Sequence, residues 1–233
     1  MDCAHCRNDL FSLARLFIGK FALYHSRSIR GAASAPSREG SRLPMTFHAS
    51  SPSTGKIARY GRMAVALHWL IALLMICGFY LGWIMTDIPG FTPTKLKYVS
   101  WHKWIGVTVF ALAVLRVVWR ATHDAPPTPA AMPAWQRTAA HATHGLLYVL
   151  MLAIPLTGYF FSSAAGVQVV YLGVLPLPTL IGPDHALKAV LRSAHIALNY
   201  TLLVLLALHV LAALKHQFVE RDGLLARMIP FLK

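Results

Sequence analysis

The stretch HIALNYTLLVLLALH, residues 195–209, decides the fold of this chain. It contains no charged residue and has a histidine at each end, His195 and His209. As an α-helix it places these histidines about 21 Å apart along the axis and within about 40° of one face. An imidazole is costly in hydrocarbon and marks an ion pathway, a proton relay or a cofactor. The stretch therefore predicts a membrane helix with two functional side chains on one side.

The composition of the chain indicates a membrane protein. Of its 233 residues, 56% are hydrophobic and only 13% are charged, which is too apolar for a soluble domain of this size. Four segments are long enough to cross a hydrocarbon core of about 30 Å. These predicted spans are residues 63–85, 101–119, 141–161 and 195–214. We predict an all-α fold, an integral membrane four-helix bundle formed by residues 57–233 and embedded in lipid.

The distribution of basic residues predicts the orientation of the bundle. A net charge of +14 suggests nucleic acid in a soluble protein, but in a membrane protein the position of the charges decides, and we expect no nucleic-acid partner. Most basic residues precede the first span, flank the connection between the second and third spans, or follow the fourth. The opposite side carries Lys95, Lys97, Lys103, Lys188 and Arg192. The positive-inside rule then places both termini in the cytoplasm, across a bacterial inner membrane.

The depths of four histidines predict two metal sites. His68 lies about 9 Å inside the cytoplasmic boundary of the first span, and His209 lies at a matching depth in the fourth. His102 and His195 both open their spans on the outer side, in the first turn of each helix. Two imidazoles occupy both axial positions of a haem iron, which favours electron transfer over oxygen binding. We therefore predict an inner haem on the first pair and an outer haem on the second.

Other interpretations of the histidines remain open at this point. A single histidine in a membrane helix is as often a packed polar residue or a proton relay as a haem ligand. His141 and His144, near the cytoplasmic end of the third span, compete for the inner iron, protonate a quinone or bind a haem propionate. The motif CAHCR, residues 3–7, lacks the histidine that follows the second cysteine in covalent haem attachment, so any haem is b-type.

Several motifs of the chain resemble the bacterial cytochrome b561 family. They are HWLIALLM (68–75), the histidine that opens the second span, AHATHGLLYVLMLAIPLTGY (140–159), and the histidine pair of the fourth span followed by LKHQF (214–218). The resemblance covers residues from about 57 to the C-terminus. It implies a four-helix bundle with two b haems, the inner one on His68 and His209 and the outer one on His102 and His195.

The family resemblance also implies a function. Such proteins transfer electrons across the bilayer between an outer donor and a quinone, and one type is a superoxide oxidase that passes an electron from superoxide to ubiquinone. Five basic residues of the outer side, Lys95, Lys97, Lys103, Lys188 and Arg192, form a cationic funnel that would steer a small anion. The simpler explanation is that these side chains snorkel to the membrane interface.

Two alternative functions use the same histidines. In the first, the chain is a cytochrome b anchor subunit that passes electrons for a dehydrogenase, a hydrogenase or a periplasmic redox partner. In the second, the histidines line a path for a metal ion or a proton. The separation of about 21 Å between His195 and His209 argues against a single metal site.

Residues 1–56 and the connection before the fourth span do not fit the membrane pattern. The N-terminal segment is rich in Ser, Arg and Ala, and we expect a disordered extension, an organellar transit peptide, or residues upstream of a true start at Met45. The connection 162–192 is too interrupted by Gly173, Pro176 and Pro178 to span, and we expect it to pack over the outer mouth of the bundle.

Deleting residues 1–44 should leave membrane insertion and both haems intact, because no spanning segment and no paired histidine lies there. Haem content and membrane fractionation of the truncated protein measure this directly. A truncated protein that inserted but bound no haem would contradict the predicted domain boundary.

Overall fold

The computed structural model describes residues 59–129 and 132–229. The predicted extension 1–56, with the possible start at Met45, lies outside the described residues. Four helices follow: α1 Arg62–Asp87, α2 Pro93–Thr122, α3 Ala134–Ala164 and α4 His185–Lys215. Each is long and apolar enough to cross a membrane, which confirms the predicted all-α four-helix class.

Short elements complete the described chain. Two-residue strands β1 (Val170–Tyr171) and β2 (Leu175–Pro176) lie between α3 and α4. A π-helical turn, His216–Glu220, continues α4, and a 3-10 turn, Leu225–Arg227, follows it. These elements lie at the two ends of the helices and do not interrupt the bundle.

Each of the four helices packs against the next one in the chain. α1 packs on α2, α2 on α3 and α3 on α4, whereas α1 and α4 make little backbone contact with each other. One apolar cluster joins Leu147, Leu150 and Ile154 of α3 to Leu202 of α4. Leu202 is the single buried residue of α4. Met75 and Phe79 of α1 pack against the same cluster, so side chains of the first helix reach the last one across α3.

Three of the four helices begin at least seven residues before the predicted spans. α2 begins at Pro93 and α4 at His185, so the prediction that His102 and His195 lie in the first turns of their helices is wrong. They are the tenth and eleventh helical residues. α3 likewise begins seven residues before His141. A hydropathy window detects only the part of a helix that lies in hydrocarbon, whereas the hydrogen-bonded helix continues into the polar interface.

Polar caps set the true starts of α2 and α4. The Thr92 hydroxyl accepts the N–H of Lys95 at 3.2 Å, and Pro93 occupies the first helical turn. The Asp184 carboxylate accepts the N–H groups of Ala186 and Leu187, both at 2.9 Å. Side-chain acceptors at the N-cap satisfy amides that the helix itself leaves unpaired. The five basic residues predicted for the outer side consequently lie in helical turns, not in loops.

Hydrogen bonds gather three parts of the chain at one end of the bundle, which we call the terminal end. The Tyr60 N–H donates to the Arg227 carbonyl at 3.4 Å, and the Trp69 indole N–H donates to the Met228 carbonyl at 3.0 Å. The Arg227 guanidinium donates to the Pro127 carbonyl at 2.6 Å. The start of α1, the α2–α3 connection and the segment after α4 therefore share one side, as the charge distribution predicts.

The opposite end, which we call the hairpin end, consists of the α1–α2 turn and the connection 165–184. The connection does not span; β1 and β2 pair antiparallel, and the turn between them uses the left-handed residues Leu172 (φ 52°) and Gly173 (φ 76°). The hairpin is fastened to α2, because the Trp104 indole N–H donates to the Val170 carbonyl at 2.8 Å. A second bond joins the hydroxyls of Thr108 and Tyr171 at 2.9 Å.

Asp184→Ala should destabilise the start of α4 by about 1 kcal/mol, because two amide N–H groups lose their acceptor. Asp184→Asn keeps an acceptor oxygen and serves as the matched control. Thermal unfolding in detergent should show a lower midpoint for the alanine variant, by about 2–4 °C, and a near wild-type midpoint for asparagine. Equal losses in both variants would mean that the carboxylate charge, and not the cap, stabilises this end.

Candidate functional site

The structure brings the four predicted histidines together in two pairs. The rings of His68 on α1 and His209 on α4 have centroids 6.3 Å apart. The rings of His102 on α2 and His195 on α4 also have centroids 6.3 Å apart. α4 thus supplies one ring to each pair, one toward the terminal end and one toward the hairpin end.

The spacing within each pair fits two ligands on one metal. A histidine nitrogen lies about 2 Å from a bound metal ion and about 1 Å from the centre of its own ring, so rings on opposite sides of one metal have centroids about 6 Å apart. Both pairs match this value, with interplanar angles of 70° and 84°. Each pair is therefore suited to the two axial positions of a haem iron, which histidines fill in many haem proteins.

The helices that carry the rings approach each other mainly through α3. The backbones of α1 and α4 make little contact. Met75 and Phe79 of α1 instead pack by their side chains against the apolar cluster that α3 forms with Leu202 of α4. This packing brings His68 of α1 and His209 of α4 to the same level of the bundle.

Hydrogen bonds orient both rings of the pair near the hairpin end. His102 Nδ1 lies 3.0 Å from the Gly78 carbonyl oxygen. His195 Nδ1 lies 3.0 Å from the Ile154 carbonyl oxygen and 3.1 Å from the Thr157 hydroxyl. A carbonyl only accepts, so Nδ1 of each ring carries the proton. The lone pair of each ring is then on Nε2, the tautomer that binds a metal through that atom.

A third ring adjoins the pair near the terminal end. The rings of His144 on α3 and His209 have centroids 5.2 Å apart, less than two axial ligands of one metal require. His144 Nδ1 lies 2.7 Å from the Ala140 carbonyl of its own helix. His141 lies one turn earlier on α3 and is half-buried. The structure thus places His144 beside the His68–His209 pair.

Arg116 is a feature of this site that its sequence position, near the end of a span, does not reveal. Its Nη1 donates to the Ala64 carbonyl of α1 at 2.9 Å, and its Nε donates to the Tyr148 hydroxyl of α3 at 3.2 Å. The guanidinium is also within electrostatic range of His68 and His209. A charged residue that faces the interior of a membrane bundle is rare and usually functional.

The five basic residues toward the hairpin end differ in their local partners and in their positions relative to the histidine pair. The ammonium of Lys95 donates to the Ile88 carbonyl at 2.7 Å, and that of Lys97 lies 4.7 Å from the Trp101 ring centroid. These two therefore have local partners. Lys188 and Arg192 precede His195 by seven and three residues on α4, which places all three on one face of the helix. Lys103 follows His102 directly and is half-buried.

A further cluster lies beyond the end of α4. His216 Nδ1 is 2.6 Å from a Glu220 carboxylate oxygen and 2.7 Å from an Asp222 carboxylate oxygen. The Lys215 ammonium binds Glu220 at 2.7 Å, and the Gln136 amide of α3 donates to the same carboxylate at 3.0 Å. The cluster joins the end of α4 to α3. The sequence did not predict these contacts, because the positions of the acidic and basic residues along the chain do not show which of them meet.

The chain is similar in sequence to known proteins. The sequence model of the prokaryotic cytochrome b561 family matches residues 59–231. Cytochrome b561 homolog 2 of Escherichia coli is 34% identical over 172 residues, covering 73% of this chain and 91% of that protein. Cytochrome b561 homolog 1 of the same organism is 28% identical, covering 74% and 97%. The probable superoxide oxidase of Yersinia pestis is 27% identical over 176 residues, covering 74% and 96%.

The matches and the geometry agree on the class of protein. Four membrane-capable helices carry histidine pairs with the spacing of haem ligands, and the family implies b-type haem and a role in electron transfer. The chain belongs to the prokaryotic cytochrome b561 family.

Proposed function

We propose that this protein is a dihaem cytochrome b that carries electrons across the membrane from an outer-side donor to ubiquinone. His68 and His209 hold the inner haem, and His102 and His195 hold the outer haem. One observation supports the assignment above all others: both pairs have the same ring separation of 6.3 Å, and both depend on α4.

The residues of the chain determine what the haems do. A bound haem supplies one-electron redox chemistry. Two histidines from each pair would hold one haem, and a haem held by two imidazoles would favour electron transfer over oxygen binding. The four histidines are half-buried among the helices, and the Nδ1 hydrogen bonds of His102 and His195 hold the planes of their rings in place.

The proposed orientation follows the basic residues. The terminal end carries Arg62, Arg120, Lys215 and Arg221, among others, and the positive-inside rule places that end in the cytoplasm of a bacterial inner membrane. The hairpin end then faces the periplasm, and the His102–His195 pair is the one that meets an outer-side donor. Both termini of the chain are cytoplasmic in this arrangement.

Superoxide is the donor that we propose. A relative from Yersinia pestis is named a probable superoxide oxidase. Lys188 and Arg192 lie on the His195 face of α4, so their charges are directed to the approach to the outer haem. A cationic approach attracts a small anion and raises its rate of encounter. Lys95, Lys97 and Lys103 add to the positive potential of the same end.

Quinone reduction completes the proposed reaction. Two superoxide anions each give one electron and leave as dioxygen, and ubiquinone takes both electrons with two protons to become ubiquinol. His144 lies beside the His68–His209 pair, and His141 lies one turn earlier on α3, toward the terminal end. We propose them as the proton donors for the quinone, with binding of a haem propionate as their alternative role.

His68→Ala and His209→Ala should each remove the inner haem and leave the outer one, because each variant deletes one axial ligand of one site. Haem content and the reduced-minus-oxidised absorption spectrum of the purified protein measure this. His185→Ala, an exposed histidine at the start of α4, is the control and should retain both haems.

Two results would count against this assignment. Loss of the inner haem only on changing His141 or His144 would mean that α3 supplies the axial ligand. A wild-type spectrum without any haem would favour a histidine-lined path for a metal ion or a proton.

Lys188→Gln combined with Arg192→Gln should slow reduction of the outer haem by superoxide and leave both haem spectra unchanged. The slowing should shrink with salt, because the Debye length falls from about 30 Å at 0.01 M to about 3 Å at 1 M. Stopped-flow spectroscopy across ionic strengths measures the rates. The control pair, Arg62→Gln and Arg221→Gln, removes two exposed charges from the terminal end and should leave the rates unchanged.

Equal low-salt rates for the wild type and the Lys188/Arg192 variant would show that these charges only anchor α4 at the interface. If the purified wild type also failed to sustain superoxide-dependent ubiquinone reduction, the anchor-subunit function would replace the stand-alone enzyme. The electrons would then pass for a dehydrogenase, a hydrogenase or a periplasmic partner.

A further inference from the structure

Two helical glycines lie directly against the rings of the outer pair. A Cβ added to Gly82 of α1 would lie 3.4 Å from His102 Cε1 and 3.7 Å from its Nδ1. A Cβ added to Gly158 of α3 would lie 3.0 Å from His195 Cε1 and 3.3 Å from its Nδ1. The second contact is shorter than carbon atoms tolerate without displacement, so the ring of His195 occupies the space of a missing side chain.

Each glycine lies four residues after the residue whose carbonyl accepts a hydrogen bond from the histidine ring. His102 Nδ1 bonds to the carbonyl of Gly78, and Gly82 follows four residues later. His195 Nδ1 bonds to the carbonyl of Ile154, and Gly158 follows four residues later. The two sites lie on different helices, α1 and α3, so the repetition is not a consequence of one local backbone.

Helix geometry explains the four-residue relation. Each Cα–Cβ bond of a helix tilts toward the N-terminus, so a side chain covers the turn before its own Cα. The side chain of residue i+4 therefore lies over the carbonyl oxygen of residue i. That oxygen already accepts the helical N–H of residue i+4 but has a second lone pair. With glycine at i+4, the second lone pair is open to a donor from another helix.

We propose that Gly82 and Gly158 are positioning residues of the outer haem, each of which exposes a helix carbonyl so that a histidine ligand can donate Nδ1–H to it. The proposal rests on the assignment of His102 and His195 as ligands. The bond fixes the tautomer and the plane of each ring, and it makes Nε2 a stronger donor to the iron. Greater basicity of the ligands stabilises ferric over ferrous iron and lowers the midpoint potential of this haem.

Thr157 supports the proton assignment at His195. Its hydroxyl donates to the Ile154 carbonyl at 2.8 Å, so Thr157 and His195 share the second lone pair of that oxygen. The hydroxyl oxygen is left to accept from His195 Nδ1, 3.1 Å away. Both neighbours of Nδ1 are therefore acceptors, and the proton on Nδ1 is shared between them. The ring is held from two directions, which a methyl group on residue 158 would disturb.

The test compares Gly158→Ala and Gly82→Ala with Gly145→Ala. Gly145 also lies in α3, but a Cβ there would meet no atom within 4 Å. Alanine is a better helix former than glycine, so a loss in the first two variants cannot come from helix propensity. We expect Gly158→Ala to weaken haem retention at the outer site by about 10–100-fold, the range for lost support of a metal ligand. Gly82→Ala, with its longer contact, should have a smaller effect.

Potentiometric titration of the two haems provides the decisive readout. In protein that keeps its outer haem, Gly158→Ala and Gly82→Ala should raise the midpoint potential of that haem and leave the inner one unchanged. Gly145→Ala should leave the potential of the outer haem unchanged. If Gly158→Ala fails to insert, the milder Gly82→Ala decides by the same measurement.

The proposal and the ligand assignment fail in different ways. If His195→Ala removes the outer haem but both glycine variants match Gly145→Ala in retention and potential, the positioning role is overturned and the ligand assignment stands. If His195→Ala retains the outer haem, the ligand assignment itself is wrong, and the inference falls with it.

Discussion

The fold depends on one constraint: α4 carries two imidazoles, about 21 Å apart on one face, in a part of the helix surrounded by hydrocarbon. Buried polar rings need partners, and a metal at Nε2 with an acceptor at Nδ1 satisfies both nitrogens. α1 brings His68 to His209, and α2 brings His102 to His195. α3 contributes no ring to either pair, but it has more buried residues than any other of the four helices, and its apolar side chains pack against all three of the others.

The pairing of the histidines could be predicted because an α-helix has a fixed rise and rotation per residue. A spacing of fourteen residues is close to four full turns, so position in the sequence translates directly into depth and direction. The starts of the helices were not predictable in the same way. Thr92 and Asp184 cap α2 and α4 several residues before hydropathy rises, because hydrogen bonding, and not contact with hydrocarbon, determines where a helix begins.

Contacts between side chains and the backbones of other helices could not be predicted from the sequence. Every residue has a carbonyl, so nothing in the amino-acid sequence distinguishes Gly78 or Ile154 as an acceptor for a histidine of another helix. Arg116 counts as a flanking charge by position, and only the rotation of α2 turns it toward Ala64 and Tyr148. Such relations depend on how neighbouring helices are rotated about their axes, which the spacing of apolar residues leaves open when all faces are apolar.

In the proposed dihaem arrangement, the two sites differ in the polar groups that surround them, and the difference would favour one direction of electron flow. Nδ1–H donation from His102 and His195 to backbone carbonyls increases ligand basicity and favours ferric iron at the outer site. The Arg116 guanidinium, which donates to the Ala64 carbonyl one turn before His68, would favour the reduced and less positive state at the inner site. Both effects would favour electron movement in the same direction, from the hairpin end toward the terminal end. A donor outside and a quinone near the cytoplasmic end are the partners that such a gradient suits.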